Sequence, residues 1–214
     1  MLEGVIFDMD GVLIDSHPVH RQAWKKFLNT LGKSVPEKDL EYILEGRRRD
    51  EILRHFFGNL PAETIAEYGH RKDLFFEENF RNVKLLPGVA DFLHDLETAG
   101  VRMAIATSAS STRTWRTLQR HSLQQKFVAV ITGDDVAAGK PHPAIYELAA
   151  QRMRIAPKNL LVLEDAPCGV QAATAAGIRC IGVTRNGRAE ALLNAGASRI
   201  IPDFVGLTVV ELQT

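Results

Sequence analysis

The chain has little cysteine: Cys168 and Cys180 are the only two in 214 residues. They lack metal-ligand spacing and are too few for a disulfide framework, so a reducing cytoplasm is the expected compartment. An excess of charge of one sign is also missing. Lys and Arg number 26 against 26 Asp and Glu, which argues against a general nucleic-acid binder. No stretch approaches ~18 uninterrupted apolar residues, so no membrane span is expected. The N-terminal residues show no charged segment followed by a long apolar one, and no signal peptide is expected. Internal repeats and low-complexity tracts are absent. The remaining composition, 45% hydrophobic and 24% charged, belongs to a globular protein long enough for one large domain, or for a domain with an insert.

The most informative stretch comes first. Val5-Ile6-Phe7 reads as a buried strand and ends in two carboxylates, Asp8 and Asp10, followed by Gly11. Alternation points both acids the same way if the strand continues, and the glycine allows a sharp turn after them. Ser16 then reads as a helix cap, with Pro18 in the first turn. From about Ser16 to Asn82 the pattern is helix after helix, punctuated at Gly32, Pro36, Gly46 and Gly58. After Leu85-Leu86-Pro87-Gly88 strands and helices alternate. Strands are expected at 101–107, 127–131, 160–163, 180–183 and 199–201, with helices between them. Such alternation implies a parallel sheet covered on both faces. The expected fold is therefore an α/β, Rossmann-like core, residues 1–15 and 84–214, with an all-helical cap inserted at 16–83. The two connections, near Asp15 and Lys84, are candidate hinges.

Strand ends carry the polar residues. Asp8 and Asp10 end the first strand, Thr107 and Ser108 the second, and Glu164 and Asp165 the fourth. Gly139-Lys140-Pro141 follows the third. In a parallel sheet these ends face one way and meet where ligands bind. Four crowded carboxylates need a cation, and oxygen-only ligation suits Mg²⁺. Lys140, the Thr107 hydroxyl and backbone N–H groups near Gly11 and Ser108 can hold oxyanions, a combination that suits a phosphoryl group. One aspartate can attack phosphorus, and the other can protonate the leaving oxygen if its pKa is raised by its neighbour.

The chain resembles the haloacid dehalogenase (HAD) superfamily, and within it the β-phosphoglucomutase-like phosphatases with a helical cap. The resemblance rests on Asp8-Met9-Asp10-Gly11-Val12, Ala106-Thr107-Ser108, Gly139-Lys140-Pro141 and Leu163-Glu164-Asp165-Ala166-Pro167, in that order along nearly the whole chain. It implies that Asp8 is the nucleophile and Asp10 the general acid/base. Thr107 and Lys140 would hold the phosphoryl group. Asp8, the Asp10 carbonyl, Glu164 and Asp165 would hold Mg²⁺. Substrate contacts are expected from Gly11, Ser108 and Ala109 in the core and from His20, Gly46, Arg49 and Lys72 in the cap. At most two of Arg47-Arg48-Arg49 are expected to point into the site, since charge runs usually form solvated faces.

The implied activity is Mg²⁺-dependent hydrolysis of a small sugar or polyol phosphate by a monomer, with no nucleic-acid or membrane partner. A β-phosphoglucomutase-type mutase is the alternative. Against it, Ala109-Ser110-Ser111 stands where those mutases present a lysine to the distal phosphate. An inactive HAD-like binding protein would be expected to lack one of Asp8, Asp10, Lys140 and Asp165, and all four are present.

Overall fold

Val5, Ile6 and Phe7 are apolar on consecutive positions, so neither face of their strand can be left to water. In the computed structural model, which describes residues 1–184 and 187–212, this strand, β1 (Gly4–Phe7), is buried at every position. Next in the chain are two very short strands, β2 (Ile14–Asp15) and β3 (Lys84–Leu85). Then follow β4 (Arg102–Ala106), β5 (Ala129–Ile131), β6 (Leu160–Glu164), β7 (Arg179–Val183) and β8 (Arg199–Ile201). The long sheet runs β5-β4-β1-β6-β7-β8, with every pairing parallel. The chain builds outward from β1 through β4 and β5, then returns to β1's other side with β6. The crevice beside the end of β1 is thus the point where strand order reverses, the usual ligand position in an open α/β sheet.

Alternation along β1 divides the core. Val5 and Phe7 enter one apolar layer with Phe92, Leu96 and Phe204, and Ile6 enters the other with Tyr146, Met153 and Val170. Phe7 meets Phe92, Phe127 and Phe204 at ring separations of 6.2–6.4 Å. Burial of one such side chain contributes roughly 1.5–3 kcal/mol. The helices covering the sheet are α5 (Val89–Thr98), α6 (Ser111–Arg120), α7 (Ala144–Met153), α8 (Pro167–Ala175) and α9 (Ala189–Asn194).

Between β2 and β3 lie α1 (His17–Thr30), α2 (Glu37–Ile43), α3 (Arg49–Phe57) and α4 (Ala62–Glu77). They enclose an apolar cluster of their own, with Trp24, Phe27, Leu40 and Leu53 at its centre. The two connections to this helical segment are tied together: Ile14 pairs with Leu85 and Asp15 with Lys84 in an antiparallel ribbon. Two residues per strand is too short a run for periodicity to reveal it.

Two local expectations need correction. The strand expected over 127–131 is shorter, Ala129–Ile131, preceded by one further bond from the Val128 N–H to the Met103 carbonyl at 2.8 Å. Ser16 does not cap α1 through its side chain; its hydroxyl donates to Asp10 Oδ1 at 2.6 Å instead. The cysteines are both free and buried, and no helix among the described residues is long and apolar enough to cross a membrane.

Candidate active site

The end of β1 delivers Asp8 into the crevice, where its N–H donates to the Leu163 carbonyl at 3.0 Å and extends the ladder with β6. Lys140 reaches in from the loop before α7. Its ammonium donates to Asp8 Oδ1 and Glu164 Oε1, each at 2.6 Å, and to the Ala106 carbonyl at 3.1 Å. All three donors of a fully buried ammonium are therefore used. Burial would lower the pKa of Lys140, but Asp8 and Glu164 outweigh it and hold the amine charged. Glu164 also accepts from the Tyr146 hydroxyl at 2.9 Å and from the Ala166 N–H at 2.9 Å. Both its oxygens are engaged beneath the crevice, and it does not line the cavity. It joins Lys140 to the start of α8.

Above these groups lies a cavity of about 410 Å³. Asp8, Asp10 and Asp165 border it from the core, and His20, Arg49 and Lys72 border it from the helical segment. All three of Arg47, Arg48 and Arg49 reach its wall, more than the charge run suggested. Each is already engaged: Arg47 with Glu45, Arg48 with the Val136 and Ala137 carbonyls, and Arg49 with Asp73 at 2.6 Å. Gly46 and Ser108 also meet, the Ser108 hydroxyl donating to the Gly46 carbonyl at 2.7 Å. Thr107 is buried, its hydroxyl accepting from the Ala109 N–H at 3.2 Å.

The two aspartates are tuned in opposite directions. Burial raises the Asp8 carboxyl well above its ordinary value; Lys140 opposes this, while Glu164, Asp165 and Asp10 reinforce it. Burial would raise Asp10 too, but the Arg113 guanidinium and then His20 hold it well below the usual range. The sequence pattern instead assigns the raised value to the second aspartate. The reversal arises because Arg113 Nη1 and Nη2 donate to Asp10 Oδ1 and Oδ2 at 2.9 and 2.5 Å.

Arg113 was not among the expected site residues. A cation in the first turn of a helix opposes the helix dipole, and this one stands third in α6. That was the signal available for it. His17 was likewise not expected; its Nε2 lies 3.0 Å from Asp165 Oδ2.

His20 and Lys72, expected at the substrate, touch each other. Lys72 Nζ is 3.2 Å from His20 Nδ1, and His20 Nε2 is 3.3 Å from Asp10 Oδ1. An ammonium can only donate, so Nδ1 accepts and Nε2 carries the proton that points at Asp10. Burial, aided by Lys72, depresses His20 to about 3, and burial depresses Lys72 to about 8 against the pull of Asp73.

The donor set suits a hard divalent cation. Asp8 and Asp165 offer carboxylates to the cavity, and their repulsion is one reason the Asp8 carboxyl is raised. A Cβ on Gly11 would sit 2.2 Å from Asp165 Oδ2, so only glycine lets that carboxylate approach the β1 turn. Among the described residues no group of three or more His, Cys, Asp or Glu side chains is gathered to hold a metal alone. Two carboxylates supplemented by a carbonyl and water fit Mg²⁺, which keeps several waters.

A model of the family described as haloacid dehalogenase-like hydrolase matches residues 5–183. The chain is 33% identical over 224 residues to a phosphorylated carbohydrates phosphatase of Thermotoga maritima, covering 98% of this chain and 99% of that one. It is 35% identical over 184 residues to hexitol phosphatase A of Escherichia coli, covering 85% and 82% respectively. A crystal structure of a CbbY mutant from Rhodobacter sphaeroides in complex with xylulose-(1,5)bisphosphate aligns with a TM-score of 0.86 at 28% identity, covering 99% of each chain. With its strand-end motifs, its sheet order and a match along most of its length, the chain belongs to the haloacid dehalogenase-like hydrolase family.

Proposed function

We propose that this chain hydrolyses small phosphorylated sugars or polyols through an aspartyl-phosphate on Asp8. One observation carries the reading: the Lys140 ammonium is locked between Asp8 and Glu164 at 2.6 Å from each, at the strand-reversal crevice. A fixed cation beside a strand-end carboxylate is the preorganised charge that phosphoryl transfer needs. The named activities of the two phosphatase relatives agree with it.

In the proposed cycle an Asp8 oxygen attacks phosphorus and the ester oxygen leaves with a proton from Asp10. Asp10 then takes a proton from the water that attacks the phospho-aspartate, releasing phosphate and regenerating Asp8. Thr107 holds a phosphoryl oxygen, and the Lys140 ammonium takes one by giving up its contact with the attacking Asp8 oxygen. Asp8, Asp165 and the Asp10 carbonyl would hold Mg²⁺, which supplies charge neutralisation at the transferring group. The helical segment acts as a cap that excludes bulk water, with the β2–β3 ribbon as its root.

Phosphate release from p-nitrophenyl phosphate and a panel of hexose and hexitol phosphates tests this reading. Activity should require Mg²⁺, vanish with EDTA, and fall by at least ~10³-fold in Asp8→Asn. An Asp8→Asn enzyme that kept most of its activity would remove Asp8 as the nucleophile.

A further inference from the structure

Both oxygens of Asp10 are held by one guanidinium, with Arg113 Nη1 at 2.9 Å and Nη2 at 2.5 Å. A carboxylate gripped at both oxygens is poorly placed to carry a proton to an ester oxygen or to take one from water. Arg113 must therefore move before Asp10 can do either. The structure shows where it can go. A second cavity, of about 390 Å³, adjoins the first along the seam between α4 and α6, and Arg113, Arg49, Ser110 and Asp134 line both. The guanidinium stands in the shared wall. Asp10 keeps the Ser16 hydroxyl at 2.6 Å and His20 Nε2 at 3.3 Å when it leaves. Both contacts fall on Oδ1, so departure of the guanidinium bares Oδ2, and its cost is offset only where the guanidinium gains another anion.

The carboxylates that line the seam already hold other donors. Asp73 already binds Arg49 at 2.6 Å and Lys72 at 3.4 Å. Asp134 accepts from the Ser111 N–H at 2.8 Å, and Glu77 pairs with Arg116 at 2.7 Å. A buried guanidinium without an acceptor is costly, so it stays on Asp10 unless the ligand brings an anion of its own.

We propose that Arg113 is a positioning residue that keeps Asp10 disengaged until a second anionic group on the bound phosphate ester draws the guanidinium into the seam cavity. The substrate class is then a phosphomonoester with a second anion, a carboxylate or another phosphate, rather than a neutral sugar phosphate. This rests on the phosphatase reading and narrows it. Release follows from exchange of one anionic partner for another, and a ligand shifts such an equilibrium only by its preference for one state.

A matched pair of esters tests it. Sorbitol 6-phosphate and 6-phosphogluconate are both linear six-carbon 6-phosphates, and they differ at C1, a hydroxymethyl against a carboxylate. Wild-type kcat is expected to be ~tenfold or more higher on 6-phosphogluconate. Arg113→Gln should raise kcat on sorbitol 6-phosphate and on p-nitrophenyl phosphate by ~tenfold and bring the pair to near equality. Arg113→Lys, which keeps the charge but not the two-pronged grip, should fall between. Thermal melting of each variant reports folding separately.

Equal wild-type turnover of the pair, none included, overturns the second-anion requirement. A folded Arg113→Gln enzyme that loses kcat on every ester overturns the lock and makes Arg113 a support for Asp10. Failure of wild type on p-nitrophenyl phosphate as well as on both esters removes the phosphatase reading itself.

Discussion

Asp8 and Asp10 leave the same strand end but are held by different cations: Lys140 lies 2.6 Å from Asp8 Oδ1, and Arg113 Nη2 lies 2.5 Å from Asp10 Oδ2. The two clamps differ in permanence. Lys140 is fully buried and fixed by a second carboxylate, Glu164, whereas Arg113 borders two cavities. The first is held on every donor, and the second stands in a wall shared by two cavities.

Lys140→Met should therefore be more than an activity mutation. It leaves Glu164 buried with one hydroxyl and one N–H as its remaining partners. Breaking a buried pair from one side costs roughly 3–5 kcal/mol. Urea denaturation should show a midpoint lowered accordingly. The double variant Lys140→Met/Glu164→Gln should recover part of that loss while remaining inactive. A single variant as stable as wild type would contradict the buried-pair account.

Gly11→Ala tests the cation site without touching a carboxylate. Gly11 has φ +76°, and its added Cβ would meet Asp165 Oδ2 at 2.2 Å and His17 Nε2 at 2.7 Å. Both the left-handed backbone and the contact oppose alanine. Displacement of Asp165 should weaken Mg²⁺ affinity by ~tenfold or more, read by isothermal titration with no substrate present. Unchanged affinity would separate Asp165 from the cation.

Lys72 predicts a stability change at alkaline pH. Its folded pKa is depressed from 10.5 to about 8 by burial. Between these values the unfolded chain binds more protons than the folded one, so stability rises with pH across that window. This depression corresponds to about 3 kcal/mol, absent below pH 8 and fully present above pH 10.5. In Lys72→Met this rise should vanish. Denaturant unfolding at several pH values in both proteins checks it, and parallel curves would show that Lys72 titrates normally.

How much of this was legible in the sequence depends on whether a feature is local. Asp8, Asp10, Lys140 and Asp165 could be brought together on paper because parallel strands present their carboxyl ends on one side. The helical segment was legible because 3.6-residue periodicity persists from Val19 onward. Arg113 was not, since its partner lies 103 positions away and the pairing depends on how α6 is oriented. Ser16 illustrates competition: its hydroxyl was equally suited to cap α1, and Asp10 took it. The opposite tuning of Asp8 and Asp10 was invisible for the same reason, because each is set by a cation from another part of the fold. Glu164 and Asp165 are neighbours in sequence, yet alternation along the strand end sends one beneath the crevice and the other to the cavity.

Hydrolysis and isomerisation can be separated by one time course. Ser111, which occupies the stretch where a mutase-type lysine is missing, gives its N–H to Asp134 at 2.8 Å and brings no positive charge to the cavity. β-Glucose 1-phosphate with Mg²⁺ and a trace of glucose 1,6-bisphosphate should release free phosphate faster than glucose 6-phosphate appears. The reverse order would favour a mutase, with Arg113 or Arg49 retaining the bisphosphate in the lysine's place.

Arg188 offers a test of whether the helical segment must stay seated on the core. It lies just before α9, yet it donates to the Leu44 carbonyl at 2.8 Å and to Glu41 Oε2 at 2.5 Å, tying the core to the end of α2. Glu41 is half-exposed and also binds Arg21, so the link is weak in energy: partly exposed ion pairs contribute about 0–1 kcal/mol. Its removal should hardly move the melting temperature. It should instead shift the balance between seated and open segments, and an open cavity admits water to the crevice. Arg188→Ala is therefore expected to raise KM a few-fold, on the order of the same 1 kcal/mol, with little change in kcat once substrate holds the segment down. High salt should weaken the wild-type contact in the same direction and leave the variant's KM less affected, since screening acts on the pair that the variant lacks. An equal salt response in both proteins would show that Arg188 does not govern seating.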